Sequence, residues 1–120
     1  MITYKPSDVI LVNIAFSGTI GYKRRPAVII SRDTFNKAGS KLIVAAMTSN
    51  IFPPYRPSDT LLSDWKAARL LKPSAVRGVL ATVDKADIYR KLGKLTKADF
   101  SQVQTGLASI LDLPTSLSTP

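Results

Sequence analysis

The chain is 120 residues long and 45% hydrophobic, with 17 lysines and arginines against 8 aspartates and a formal net charge of +9. That composition describes one globular domain with room for a core, and it excludes a disordered chain or two full-sized domains. Cysteine, histidine and glutamate are all absent, which excludes disulfide scaffolds, thiolate or imidazole metal sites, cysteine nucleophiles and serine–histidine triads.

Residues 8–16 put Ile10, Val12, Ile14 and Phe16 on one face at period two, the pattern of a half-buried strand. Residues 17–23 hold two glycines and little apolar content, and read as a loop or hairpin connection. A short β-branched strand follows over residues 27–31, opened by Pro26. Residues 33–40 suit a turn or short helix, and residues 41–49 a strand apolar enough to be buried on both faces. Pro53, Pro54 and Pro57 make residues 51–58 an irregular loop. Residues 60–62 fit a short strand, 65–71 show no clear period, 74–83 read as a long strand, and 88–95 fit either strand or turn. Thr96 is an N-cap with Asp99 as capping-box partner, and Leu95 with Phe100 stands at the hydrophobic-staple positions. Phe100, Val103, Leu107, Ile110 and Leu111 then form a helical core stripe that Pro114 ends. The expected fold is mainly β (α+β): a small twisted sheet closing into a barrel, with a C-terminal helix. Residues 1–113 form one domain and residues 114–120 a frayed tail.

The positive charge is uneven, with twelve cations and four acids over residues 1–80, against five and four over residues 81–120. A folded domain with that bias attracts polyanions, nucleic acid first among them; the alternative is a basic surface with no polyanion partner. The apolar runs at 27–30 and 42–47 are too short for a membrane span, and residues 1–7 lack the apolar core of a signal peptide. The expectation is a soluble cytoplasmic protein with no membrane partner.

Three side-chain groups carry possible chemistry. Lys23, Arg24 and Arg25 lie where a glycine-bearing loop meets a strand, either as a solvated basic turn or as a phosphate site. Pro26 favours an extended Arg25, which presents that side chain. Thr48, Ser49 and Asn50 end a buried strand, as a polar cap or as hydrogen-bond donors to a phosphate. Arg77 is a lone cation in an apolar run, pointing either outward or into a groove.

Taken in order, "DVILVNIAFS", "KRRPAVIIS", "KLIVAAMTS", "KPSAVRGVLATVDK", "IYRKLGKLT" and the closing helix resemble the MazF/PemK family of toxin endoribonucleases over nearly the whole chain. The resemblance implies an SH3-like barrel of about five to seven strands, a homodimer, and sequence-specific cleavage of single-stranded RNA. It further implies a cognate antitoxin that covers the RNA groove, with DNA bound only as a complex with that antitoxin. Carried over residue by residue, the catalytic arginine falls on Arg25 and the catalytic hydroxyl on Thr48. Lys23, Arg24, Ser49 and Arg77 are the RNA-binding candidates. Some relatives use an arginine matching Arg77 together with an aspartate two residues later; here that position is Val79, which favours the Arg25/Thr48 version. No metal and no cofactor is called for. The RNA's own 2′-hydroxyl can be the nucleophile, leaving the protein to align it and to stabilise the phosphorane-like transition state. The alternatives are a non-enzymatic gyrase-poison-like protein or a nucleic-acid-binding module on the same barrel.

Overall fold

A computed structural model describes residues 2–14, 23–57 and 59–114, with Lys23 described for its backbone alone. The elements run β1 (Asp8–Ile14), β2 (Lys23–Ile29), α1 (Asp33–Ala38), β3 (Lys41–Thr48), β4 (Thr60–Leu61), β5 (Ala75–Asp84), a 3₁₀ turn (Lys85–Asp87), β6 (Ile88–Lys94) and α2 (Lys97–Ile110). The strands form one antiparallel sheet in the order β4-β5-β3-β2-β1-β6. The mainly β fold with a C-terminal helix is as expected. Among the described residues the sheet does not close into a barrel: β4, only two residues long, and β6 are its free edges. Phe16, the loop expected over 17–23 up to its last residue, and the tail after Pro114 lie outside the described residues.

Period-two alternation sorts the strand side chains into two cores, one on each face of the sheet. Val9, Val28, Ala45 and Met47 pack with Val103 and Leu107 of α2 on one face; Ile10, Val12, Ala27, Ile29, Leu42 and Val44 form the other core. So β1 is half-buried, as its pattern suggested, only toward its end, where Leu11 is part-buried and Asn13 exposed; at its start both faces are covered. Val9 is sealed because α2 and residues 62–68 cover the face expected to be open. Residues 88–94 resolve as a strand, paired with β1 across two register shifts.

Thr96 caps α2 by accepting the Asp99 N–H at 3.2 Å. The Asp99 carboxylate makes a longer-range connection than a capping box: it accepts the N–H groups of Ser63 and Asp64, both at 2.9 Å. Those bonds start a run of successive turns through Arg69, whose backbone is left-handed at φ 63°. The helix stops before Pro114. Leu113 N–H bonds Ala108 C=O and Asp112 N–H bonds Ser109 C=O, a Schellman closure with Asp112 in the left-handed position. Ile110 and Leu111 are 41% and 49% exposed, so the core stripe ends at Leu107; two-residue β4 is too short to cover the last turn.

Gly93 is where β6 passes under residues 65–71. A Cβ there would lie 2.5 Å from the Ala68 carbonyl oxygen and 2.9 Å from Arg69 Cγ. Backbone cannot yield cheaply at that distance, so Gly93→Ala is expected to cost about 1–3 kcal/mol. Thermal melting should show a midpoint several degrees lower. An unchanged midpoint would mean that the 65–71 segment is free to move.

Candidate functional site

The β2–β3 ladder runs from Ile29 with Val44 to Ala27 with Ala46, and there it stops. Pro26 has no N–H to donate to β3, while on its other side it still pairs with Leu11 of β1. Beyond this point the two strands diverge. Continuing the register by arithmetic would set Arg25 opposite Thr48 and Arg24 opposite Ser49. The basic cluster forms the first three residues of β2, paired through β1, so the strand begins earlier than the expected residue 27.

A cleft of about 670 Å³ opens at this divergence. Arg24, Arg25, Thr48 and Ser49 line it, with Leu11, Pro26, Met47 and Leu92 as an apolar floor. Arg69, Lys72 and Arg90 complete the wall. Among the described residues, none that lines the cleft is acidic. Outside the cleft, Lys37 pairs with Asp33, Lys41 with Asp84, Arg77 with Asp59, and Lys91 and Lys94 with Asp8. None of the five cleft cations has a carboxylate within ion-pairing distance among the described residues. Five cations with no ion pair among the described residues thus line a cleft that an anion can enter.

Two details prepare the cleft for an oxyanion. Arg25 Nε is buried and has no hydrogen-bond partner among the described residues, a donor left unsatisfied beside the cleft. Thr48 Oγ1 accepts the Asn50 N–H at 3.0 Å, which fixes the oxygen and leaves its own proton to donate. Two carboxyls outside the cleft are held below the ordinary aspartate range: Asp33 by a hydrogen bond from Lys37, and Asp84 by the Ala86 N–H and then Lys41. Among the described residues, no three metal-ligating side chains come together.

Arg77 is not among the residues lining the cleft. Its guanidinium faces Asp59 at 3.7 Å and the Asn50 carbonyl at 3.5 Å, at the two ends of the proline-rich loop. A register shift on β5, where Arg77, Gly78 and Val79 stand against Ala46 alone, sets that direction. The Lys23 side chain lies outside the described residues. Arg69, Lys72 and Arg90 were not singled out from the sequence. Nothing local marks them, because Arg69 reaches the cleft through the Gly93 close approach and the Asp99 hydrogen bonds.

The family model described as PemK-like, MazF-like toxin of type II toxin-antitoxin system matches residues 5–111. Endoribonuclease MazF6 of Mycobacterium tuberculosis (strain ATCC 25618 / H37Rv) is 30% identical over 99 residues, covering 81% of this chain and 86% of that protein. Among solved structures, an endoribonuclease from a mycobacterial species has a TM-score of 0.75 at 21% identity, covering 97% of this chain and 98% of that one. An endoribonuclease in complex with its cognate antitoxin, also mycobacterial, has a TM-score of 0.74 at 22% identity, covering 97% and 100%.

Proposed function

Because this chain belongs to the PemK-like, MazF-like toxins of type II toxin–antitoxin systems, we propose that its cleft cuts single-stranded RNA, with Arg25 and Thr48 at the scissile phosphate. The observation that carries this is the register: where Pro26 ends the ladder, Arg25 and Thr48 come from opposite strands into one acid-free cleft. A guanidinium and a hydroxyl proton are two donors aimed from two sides, which suits the extra negative charge of a phosphorane-like transition state.

The step is a transesterification that calls for no metal and no cofactor. The 2′-oxygen of the nucleotide 5′ of the cut forms a bond to phosphorus and loses its proton. The bond from phosphorus to the leaving 5′-oxygen breaks, and that oxygen takes up a proton. The products are a 2′,3′-cyclic phosphate and a 5′-hydroxyl. Arg25 supplies charge stabilisation, because a guanidinium holds its protons tightly and stays cationic. Without an imidazole or glutamate as general base, turnover is expected to be modest.

Lys23, Arg24 and Ser49 bind the RNA in this reading. Arg77 acts as a positioning residue that ties the proline-rich loop to β5. A cognate antitoxin binds this toxin, for which a relative of this fold in complex with its antitoxin offers support, and the acid-free basic cleft is the surface that it covers. Ile110, Leu111 and Leu113 leave an exposed apolar surface at the end of α2 that a second copy would cover in a homodimer. Among the described residues no helix is long and apolar enough to cross a membrane, and we place the activity in the cytoplasm, with its messenger substrate. Residues 1–113 act as a single toxin domain, with 114–120 as its tail.

The test is incubation of the purified protein with a long single-stranded RNA, with and without a chelator, followed by chemical mapping of the ends. Cyclic phosphate and 5′-hydroxyl ends at defined sites are expected under both conditions. Intact RNA, or cutting only without chelator, would overturn the reading. RNA affinity should also fall steeply with salt, by a log–log slope of roughly −0.7 for each phosphate contact. Removing Lys23 or Arg24 should lessen that slope by less than about one unit and leave the cleaved sequence unchanged. A slope near zero would show that the basic cleft is not the binding face.

A further inference from the structure

Tyr89 takes no part in the chemistry above, yet its placement is specific. β6 pairs Arg90 with Leu11 and Ile88 with Val12, which makes Tyr89 the extra residue of a bulge. A bulge re-aims the side chain it carries. Arg24 of β2 reaches across β1 and lays its guanidinium over the Tyr89 ring, with Cζ 3.7 Å from the ring centroid. At that distance the planar cation lies against the ring face. The stack holds a long, flexible side chain flat.

One face of the Arg24 plane is thus backed by tyrosine, while Arg24 itself is exposed and lines the cleft. Tyr89 is 54% exposed, so the pair is a surface feature and not part of either core. Successive side chains leave a strand in opposite directions, so the cleft meets Arg24 and Arg25 as two separate groups. A nucleic-acid base stacks readily on a guanidinium plane or an aromatic ring. We propose that Arg24, held flat on Tyr89, is the stacking platform for one nucleobase beside the phosphate bound by Arg25 and Thr48. The proposal rests on the RNA-cleaving reading above and adds a base subsite to it. Every base has a π-face, so this subsite positions the strand without choosing its sequence.

The experiment is an abasic scan. Single-stranded RNAs carrying one cleavable site, each lacking one base near the scissile bond, are compared by kcat/KM for wild type, Tyr89→Phe and Tyr89→Ala. In wild type, one position near the cut should carry a penalty of roughly 10-fold to 100-fold for the missing base that depends on the platform. Tyr89→Ala should lose a comparable factor on intact RNA, mainly through KM, and show no further penalty at that position. Tyr89→Phe keeps the ring and should behave as wild type. Arg24→Met keeps the aliphatic stem, removes the plane and should reproduce the Tyr89→Ala pattern; it decides the matter if Tyr89→Ala does not fold by thermal melting. Equal abasic penalties in wild type and these variants would overturn the platform alone, as would a loss in Tyr89→Ala that sedimentation traces to a changed oligomeric state. A wild-type protein that cuts none of the RNAs would overturn the RNA-cleaving reading and the platform with it.

Discussion

Arg25→Ala is expected to slow single-turnover cleavage by roughly 10²-fold or more, the scale for losing one preorganised transition-state donor. Its melting midpoint should stay near that of wild type. The reason lies in the bonding of this side chain: among the described residues Arg25 Nε is buried without a partner, so truncation breaks no hydrogen bond to them at that atom. A side chain that stabilises the fold through its bonds would behave in the opposite way. Arg25→Lys should rescue little, because an ammonium cannot reproduce the paired, planar donors of a guanidinium. Thr48→Ala should be slowed as well, but less severely, and it also frees the Asn50 N–H that Thr48 now accepts. Thr48→Ser retains both bonds and should keep most of the rate. Wild-type cleavage by folded Arg25→Ala protein would remove Arg25 from the chemistry.

Much of this site was legible in the sequence because its chemistry sits at the ends of strongly patterned strands. The apolar run over 41–48 delivers Thr48 to the end of β3, and proline at position 26 announces both an extended Arg25 and a ladder that cannot continue. What the pattern could not supply was the register. Arg25 and Thr48 reach one cleft just past the pairing of Ala27 with Ala46, a pairing between residues nineteen apart that no local signal encodes. The other wall of the cleft was illegible for a similar reason. Residues 65–71 have no period because they follow turns pinned by Asp99 from α2 and fitted against Gly93 of β6. Arg77 was placed in the right strand but not in the cleft, since the local shift on β5 turns it to Asp59. Ile110 and Leu111 fit the helical stripe and yet stay exposed, because a two-residue β4 leaves nothing for them to cover. Period tells which side chains share a face; only tertiary contacts decide how far the opposite surface extends.

Replacing a single 2′-hydroxyl of the substrate has the largest expected effect, because that group is the nucleophile of the proposed reaction. The donor set of the chain argues for this route. A metal-activated water would need ligands drawn from eight aspartates. Asp8 is paired with Lys91 and Lys94, Asp59 with Arg77, and Asp99 is bonded to backbone N–H groups. Asp84 and Asp87 are close in sequence, but Asp84 is already bonded to Lys41 and the Ala86 N–H. The cleft itself presents cations and hydroxyls, which stabilise an oxyanion and do not hold a magnesium ion. Single-turnover cleavage of an RNA with 2′-deoxyribose only at the nucleotide 5′ of the scissile bond, with binding measured alongside, tests the account most directly. Abolished cleavage with nearly intact binding is predicted, and a chelator should leave cleavage of the all-ribose RNA unchanged. Cutting of the deoxy-substituted RNA at a comparable rate would contradict it.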